Sequence, residues 1–220
     1  MPKVKHIILL GPPGAGKGTF SSQIKKIIPD LIHVSTGDIF RKNIKESTSL
    51  GIKAKEYMDK GELVPDEITN SMIKNRLEEL DKHYWILDGY PRNIGQTKYL
   101  SGIANIDLVL LLSVDTEIIK KRILGRFTCL NCDKIYNKYT LLPKKNINEN
   151  KWICDDCGKD IEFQQRTDDT EKTLNKRLDV YKTNVEPIID FYKDKKLLKE
   201  INAEDTLAYT NKEIKEILKF

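Results

Sequence analysis

A glycine-rich loop follows a short apolar run near the start of the chain, and this order constrains the fold more than any other feature. The run is His6–Leu10, the loop Gly11–Thr19 has the pattern G-x-x-x-x-G-K, and helix-spaced apolar residues such as Phe20 and Ile24 come next. Strand, loop and helix in this order are typical of a phosphate loop, whose glycines let backbone N–H groups turn toward phosphate oxygens. Lys17 is spaced to reach the outer phosphates, which disfavours a plain helix-capping turn. We expect a nucleotide phosphate chain to bind here.

Further apolar segments alternate with helical patterns along the chain. The segments expected to be strands are Tyr84–Leu87, Leu108–Leu112 and the residues around Ile201. The segments expected to be helices are Asp66–Leu80, Thr116–Arg126 and Thr170–Lys193. The strands show no polar alternation, which is typical of parallel strands covered on both faces. The sequence therefore predicts an α/β fold in which helices flank a parallel sheet around the phosphate loop.

Two stretches depart from this alternation. Ser35–Leu63 has the pattern of short helices with no strand, and Thr128–Gln165 holds every cysteine together with polar runs. Within the second stretch, Lys144–Lys151 is rich in lysine and asparagine and is expected to be an exposed loop. Both stretches are therefore predicted to be small units inserted into the α/β fold.

Composition excludes some classes of protein. The chain has 220 residues, 39% of them hydrophobic and 32% charged, which suits a folded protein with one core. No apolar run approaches the roughly 18 residues of a membrane span. The net charge of +5 comes from dispersed basic residues, which favours attraction of anionic ligands over a nucleic-acid stripe. We expect a cytoplasmic protein, because no targeting segment precedes the first strand. If a presequence has been removed from the chain, location in an organelle is the alternative.

The four cysteines form two C-x-x-C pairs. These are Cys129 with Cys132 and Cys154 with Cys157. Paired C-x-x-C units without a secretory signal predict a tetrahedral zinc site with four thiolates, because a redox pair needs only one unit and disulfides do not suit a reducing compartment. With four protein ligands the site has no open position, so its role is expected to be structural.

Arginines recur in segments that could face a ligand. Ser35 and Thr36 form a helix-capping pair with Arg41 about one turn later. Asp88 and Arg92 follow a buried strand, and ligands of open parallel sheets bind at the carboxyl ends of strands.

The remaining arginines lie in the second half of the chain. Arg122 and Arg126 are four residues apart, which predicts that they lie on the same face of a helix. From the spacing alone, this face could equally be a basic stripe exposed to solvent. Arg166 precedes a pair of aspartates, and Arg177 follows eleven residues later.

In chain order these segments resemble the motifs of the adenylate kinase family of nucleoside monophosphate kinases, in the type with a long zinc-binding lid. The matching motifs are G-x-P-G-x-G-K-G-T, S-T-G-D-x-x-R, D-G-Y-P-R, K-R-x-x-G-R, x-R-x-D-D and K-R-L. The resemblance implies a P-loop core of residues 1–34, 65–126 and 167–220, a small helical AMP-binding insert at 35–64 and a zinc-binding lid at 127–166. The phenylalanine that is usual before the proline of the third motif is Tyr90 here.

The resemblance also implies roles for individual residues. Those expected to act on the transferring phosphate are Lys17, Asp88, Arg92, Arg126, Arg166 and Arg177. Those expected to bind ATP are Gly14, Ala15, Gly16, Lys17, Gly18, Thr19, Arg122 and Arg126. Those expected to bind AMP are Thr36, Arg41, Leu63, Val64, Gly89, Arg92, Gln96, Arg166 and Arg177. Thr36 favours AMP, because relatives that prefer pyrimidine monophosphates tend to have alanine there.

The implied reaction is the reversible, Mg²⁺-dependent transfer of the terminal phosphate of ATP to AMP by a monomer. Gly18 follows Lys17 where most phosphate loops have a Ser or Thr ligand, so Mg²⁺ is expected to be held through water and acidic residues such as Asp88. Phe127 stands where a second arginine is common in the family, and Leu141–Lys144 replaces its F-N-P-P element.

Three alternatives remain at this point. A GTP:AMP phosphotransferase would share nearly all of these residues. A regulatory GTPase is disfavoured, because the chain has no N-K-x-D guanine motif. A zinc ribbon that binds nucleic acid is disfavoured by the position of the cysteines between Arg126 and Arg166.

Overall fold

A parallel five-stranded sheet forms the centre of the fold. The computed structural model describes residues 6–80, 83–132 and 134–218. In chain order the elements are β1 (His6–Leu10), α1 (Lys17–Ile27), β2 (Ile32–Ser35), α2 (Thr36–Lys45), α3 (Ser49–Met58), α4 (Asp66–Glu79), β3 (Trp85–Asp88), α5 (Ile94–Ile103), β4 (Leu108–Ser113), α6 (Thr116–Leu124), β5 (Arg126–Thr128), β6 (Ile135–Asn137), β7 (Lys145–Asn148), β8 (Lys151–Ile153), β9 (Asp160–Glu162), α7 (Glu171–Asp194), β10 (Leu198–Asn202) and α8 (Asn211–Ile217).

The strand order in the central sheet is β10-β4-β1-β3-β2, and every pairing is parallel. The sheet is buried on both faces, as its apolar strands predicted. Ile7 and Leu9 of β1 pack into the core cluster that includes α1 and α8, whereas Ile8 and Leu10 pack into the cluster on the opposite face. Successive side chains of a strand point to opposite faces, so continuous apolar strands supply both clusters. The α/β fold expected from the sequence is confirmed.

The carboxyl ends of β1, β2 and β3 lie at the same edge of the sheet, because these strands are neighbours and parallel. The glycine-rich loop follows β1, Ser35 ends β2 and Asp88 ends β3. This topology brings together segments that are far apart in the sequence.

The strand β2 is an element that the sequence prediction missed. The stretch from Ser35 was expected to contain no strand, but Ser35 is the last residue of β2 and pairs with Asp88. The apolar signal of this strand is weak, because it has four residues and two of them, His33 and Ser35, are polar. The prediction of short helices is confirmed for the rest of the stretch by α2 and α3.

The predicted helix Thr116–Arg126 ends two residues early, so the prediction that Arg122 and Arg126 share a helix face is wrong. Helix α6 stops at Leu124, Gly125 caps it, and Arg126 begins β5. The side-chain amide of Asn137 donates to the carbonyl of Arg122 at 2.8 Å, which satisfies a group that the helix end leaves free.

Two small antiparallel sheets lie between α6 and α7. One contains β5 and β6, and the other contains β7, β8 and β9. Their core is aromatic: the Phe127 ring lies 5.7 Å from Tyr136, 5.3 Å from Trp152 and 5.5 Å from Phe163, measured between centroids. The expected loop Lys144–Lys151 is exposed, but it contains the strand β7, which pairs with β8.

Among the residues that the structure describes, no helix is both long and apolar enough to cross a membrane.

Candidate active site

The glycine-rich loop has the backbone geometry of an anion cradle. Gly14 and Gly16 have φ values of 81° and 87°, in the left-handed region that side chains rarely adopt. A Cβ atom on Gly14 would also lie 2.9 Å from Cγ1 of Ile123. Gly16 is the N-cap of α1 and has no side chain that could accept a hydrogen bond from the backbone N–H groups of the first turn. The N–H groups of that turn therefore face the loop, where the helix dipole favours an anion.

Lys17 lies against this cradle. Its Nζ donates to the carbonyls of Gly11 and Pro12, both at 2.9 Å. Burial lowers the pKa of Lys17 to about 8, and the charge on Asp88 offsets only part of this effect. An anion placed in the loop would stabilise the ammonium form and release it from the two carbonyls.

Asp88 ends the neighbouring strand and faces the same space. Burial alone would raise the pKa of Asp88. The side-chain interaction with His33 and the charge on Lys17 outweigh the effect of burial and hold this pKa below its usual value. His33 Nε2 lies 3.5 Å from Asp88 Oδ2. Asp88 is therefore an ionised carboxylate beside the phosphate loop, as an organiser of hydrated Mg²⁺ would need to be.

The turn after Asp88 is braced by a network of amides and one carboxylate. The backbone N–H of Arg92 donates to Gln96 Oε1 at 2.7 Å, and Gln96 Nε2 donates to Asp66 Oδ1 at 2.8 Å. Asn93 donates to the same carboxylate at 3.0 Å. Gln96 is 1% exposed. This network fixes the orientation of the Gln96 amide, since a carboxylate can only accept.

Helix α2 begins as its capping pair predicted. The Ser35 hydroxyl accepts from the backbone N–H of Asp38, and Thr36 Oγ1 donates to the carbonyl of Gly89 at 2.9 Å. Arg41, one turn into the helix, pairs with Asp38 at 2.5 Å. The contact between Thr36 and Gly89 joins the start of α2 to the turn that carries Arg92.

Two arginines from different elements are held by one pair of aspartates. Arg126 of β5 makes a two-point contact with Asp169, whose side chain is fully buried. Arg177 of α7 lies 3.2 Å from Asp168 and 3.7 Å from Asp169. The aspartate pair of the sequence motif therefore positions two of the predicted phosphate-binding arginines.

Arg122 of α6 lines the same space as the glycine-rich loop. Its guanidinium donates to the carbonyls of Ala203 and Glu204, at 2.9 and 2.8 Å. This contact fastens α6 to the segment that follows β10. Because β10 is a parallel strand of the same sheet, its carboxyl end lies at the ligand-binding edge.

One cavity of about 650 Å³ connects these groups. The predicted site residues that line it are Gly14, Gly16, Lys17, Gly18, Thr19, Arg41, Leu63, Asp88, Gly89, Arg92, Arg122, Arg126, Arg166 and Arg177. Four predicted residues do not line it, namely Ala15, Thr36, Val64 and Gln96. All four are buried.

The positive charges around this cavity destabilise one another. Burial lowers the pKa of Arg166 to about 9, with further contributions from Arg126 and Arg41. Burial lowers the pKa of Arg92 to about 10, and Arg177 adds to the effect. Cations crowded in this way stabilise an anion that enters between them, and perturbed groups lining a cleft mark a functional site. The arrangement suits ligands that carry several phosphate groups.

Sequence reasoning missed several residues of the site. Asp66 and Asp169 position other residues; Asp66 belongs to no motif, and the motif that contains Asp169 does not show that it holds Arg126. The segment Glu204–Leu207 lines the cavity, and Gln23 donates to the carbonyl of Thr206 at 2.6 Å. That segment could have been found, because it follows the predicted strand around Ile201 at its carboxyl end.

The four cysteines converge as their spacing predicted. Their sulfur atoms all lie within 4.8 Å of one another, with 3.6 Å between Cys129 and Cys157 and 3.5 Å between Cys132 and Cys154. A tetrahedron with Zn–S bonds of about 2.3 Å has sulfur atoms about 3.8 Å apart. The four cysteines therefore fit a tetrahedral metal ion such as zinc.

Comparison with known proteins agrees with the motifs. The family model described as adenylate kinase matches residues 9–197. A protein named adenylate kinase from Clostridium perfringens (strain SM101 / Type A) is 45% identical over 218 residues, covering 96% of this chain and 97% of that protein. Proteins of the same name from Rickettsia peacockii (strain Rustic) and Thermoanaerobacter sp. (strain X514) are 44% and 43% identical, and each alignment covers 97% of this chain and 98% or 97% of the relative. The chain therefore belongs to the adenylate kinase family.

Proposed function

We propose that this chain catalyses the reversible, Mg²⁺-dependent transfer of the terminal phosphate of ATP to AMP, which gives two molecules of ADP. The observation that carries the proposal is the convergence of Lys17 and six arginines, contributed by six motifs, on one cavity. A single nucleotide bound at a phosphate loop would not need cations on every side. Two nucleotides that meet through their phosphates would need them.

The donor nucleotide is assigned to the side of the cavity formed by the glycine-rich loop. The N–H groups at the start of α1 and the ammonium of Lys17 would hold its outer phosphates. Arg122 lies beside the segment Ala203–Thr206 and would pack against the donor base. Thr19 lies near the inner phosphates in this arrangement.

The acceptor nucleotide is assigned to the side formed by α2 and the turn after β3. Arg41 and Arg92 would bind the phosphate of AMP, and the backbone at Gly89 and Leu63 would line its base. Thr36, Val64 and Gln96 are buried and do not line the cavity. Contact of Gln96 with the adenine edge would therefore require its side chain to become accessible when AMP binds.

The transfer itself needs positioning and charge stabilisation. Arg126, Arg166 and Arg177 border the space between the two halves and would stabilise the charge on the moving phosphoryl group. We assign no general base, because such a transition state gains little from one. Asp168 and Asp169 hold two of these arginines in place.

Mg²⁺ bound with ATP would neutralise part of the phosphate charge. Asp88 would orient its water shell, because its pKa is held low and it faces Lys17. Gly18 offers no hydroxyl at the position where many phosphate loops place a ligand. We therefore infer that no side chain of the loop replaces Asp88 in this role.

We assign the exclusion of water to closure of two parts, the insert of residues 35–64 and the lid of residues 127–166. Both border the cavity, through Arg41 and Leu63 on one side and Tyr136 and Arg166 on the other. Closure of both would keep ATP from being hydrolysed before AMP is in place. The cysteine cluster would hold structural zinc and so stabilise the lid. A monomeric state and a cytoplasmic location remain predictions.

The experiment that tests the proposal is a coupled assay with AMP as acceptor and with ATP or GTP as donor. We expect ADP formation with ATP, and a lower kcat/KM with GTP. A higher kcat/KM with GTP would favour a GTP:AMP phosphotransferase that has the same acceptor site. Absence of turnover with both donors, together with salt-dependent binding of DNA or RNA, would instead favour the nucleic-acid-binding alternative.

A further inference from the structure

Tyr136 of β6 links the cysteine cluster to the nucleotide cavity. Its hydroxyl oxygen lies 3.4 Å from Cys154 Sγ and accepts a hydrogen bond of 2.8 Å from the backbone N–H of Asp155. The side chain is 1% exposed. Tyr136 is also among the residues that line the cavity.

The direction of the contact with sulfur follows from the other hydrogen bond. The hydroxyl has one proton, and the N–H of Asp155 already occupies an acceptor position on its oxygen. A cysteine that binds a metal ion is a thiolate, which has no proton to donate. In the metal-loaded cluster the hydroxyl of Tyr136 therefore donates to the sulfur of Cys154.

The ring that carries this hydroxyl has little freedom to move. Tyr136 is paired with Phe127 across β5 and β6, and the two rings stack with 5.7 Å between centroids. Its neighbours Ile135 and Asn137 also line the cavity. A displacement of β6 by a bound nucleotide would therefore move the hydroxyl relative to the sulfur.

We propose that Tyr136 is a positioning residue of the cysteine cluster, which holds Cys154 through an O–H···S hydrogen bond and ties metal retention to the strand that lines the nucleotide cavity. The inference rests on the proposed metal site. Hydrogen bonds to metal ligands fix ligand orientation, and their loss typically costs about 10-fold or more in metal affinity.

The test compares Tyr136→Phe with Tyr139→Phe in the full-length, zinc-loaded protein. Both changes remove one hydroxyl from the same segment, but Tyr139 is 61% exposed. Zinc release to an excess of a chromogenic chelator is followed by absorbance. We expect release about 10-fold faster from Tyr136→Phe and unchanged release from Tyr139→Phe.

A spectroscopic readout separates the hydrogen bond from general loosening of the fold. In the Co²⁺-loaded proteins, the sulfur-to-metal charge-transfer band should move to longer wavelength in Tyr136→Phe, because loss of the O–H···S bond raises the energy of the sulfur lone pair. If Tyr136→Phe does not fold, wild-type protein loaded with ¹¹³Cd decides the question. A scalar coupling between the metal and the hydroxyl proton of Tyr136 would support the hydrogen bond, and its absence would reject it.

Each outcome bears on a stated claim. Faster release together with a shifted band supports the role of Tyr136. Release within about twofold of wild type, or faster release with an unmoved band, overturns that role and leaves the proposed metal site intact. Wild-type protein that binds neither zinc nor cobalt rejects the metal site and the inference together.

Discussion

Arg126 donates two hydrogen bonds to the buried carboxylate of Asp169, at 2.7 Å from Nε to Oδ2 and 2.5 Å from Nη2 to Oδ1. This two-point geometry fixes the plane of the guanidinium as well as its position. Asp169 also lies 3.7 Å from Arg177, so one buried carboxylate orients two cations of the cavity. Asp169 therefore orients two of the cations that the proposal assigns to the transferring phosphate.

Replacement of Asp169 by asparagine should impair both stability and catalysis. The change leaves Arg126 near a neutral amide, and loss of one partner of a buried pair typically costs about 3 kcal/mol. We expect a comparable fall in the free energy of unfolding, measured with urea, and a fall in kcat of about 10-fold or more. Asp179→Asn, at an exposed position of α7, is the control. Equal kcat in the two variants would show that Asp169 does not position the arginines.

Replacement of Asp66 by alanine should weaken AMP binding selectively. The change removes the acceptor for the amides of Gln96 and Asn93, so the turn that carries Arg92 loses its brace. We expect the KM for AMP to rise about 10-fold, as loss of 1–2 kcal/mol of hydrogen bonding implies, with little change in the KM for ATP. Glu67→Ala removes the next carboxylate of the same helix turn and should leave both values unchanged. An equal rise in both KM values would contradict the assignment of this side to the acceptor.

The pH dependence of ATP capture should report Lys17. Its folded-state pKa of about 8 lies below the ordinary value of 10.5, so the free enzyme loses the ammonium charge as the pH rises through about 8. We expect kcat/KM for ATP to fall above that pH, because this ratio reflects ionisation of the free enzyme. The linkage also predicts that stability rises from about pH 8 to 10.5, where the unfolded chain binds more protons than the folded one.

In the pH profile of kcat, the fall caused by deprotonation of Lys17 should occur at higher pH, since bound phosphates stabilise the ammonium form. The residual kcat/KM of Lys17→Arg should not fall above about pH 8, because the arginine side chain keeps its charge in this range. If kcat/KM of Lys17→Arg still falls above about pH 8, the titration belongs to another group.

Replacement of Cys157 by serine should lower metal content and melting temperature together. One thiolate of the four is lost, so the bound zinc per chain should fall well below that of wild type. The melting temperature should fall by roughly 5–10 °C, as a loss of 2–3 kcal/mol would give in a chain of this size. Removal of zinc from wild type by a chelator should produce the same change, reversed when zinc is returned. Iron in place of zinc, or no metal in freshly reduced protein, would reject the zinc assignment.

Much of the fold could be predicted because the strands β1, β3 and β4 are short runs of mostly apolar residues. Leu108–Leu112 carries this signal, and its strand in the structure extends only to Ser113. The strand Ile32–Ser35 has no such signal, since two of its four residues, His33 and Ser35, are polar. The end of α6 could not be read from helix periodicity either, because Asn137, which is distant in sequence, satisfies the helix end.

Parts of the site that a motif defines were easier to predict than those that packing defines. The glycines of the loop indicate its backbone conformation directly. The roles of Lys17 and Asp88 could be predicted because both residues follow predicted strands whose carboxyl ends lie at the same edge of the sheet. Asp66, Asp169 and Tyr136 act on other side chains instead. Their partners are distant in sequence, so only the folded structure shows what they orient.

The central claim is that the terminal phosphoryl group of one nucleotide is transferred to a second nucleotide in one cavity. The most direct measurement follows ATP labelled with ³²P at its γ-phosphate in the presence of AMP and Mg²⁺. Lys17→Ala, which should lose transfer while it keeps its fold, is the negative control, and Lys25→Ala at an exposed position of the same helix is its matched partner. We predict that the label appears in the β-phosphate of ADP with wild type and Lys25→Ala. Label found in inorganic phosphate, or transfer that persists in Lys17→Ala, would contradict the account.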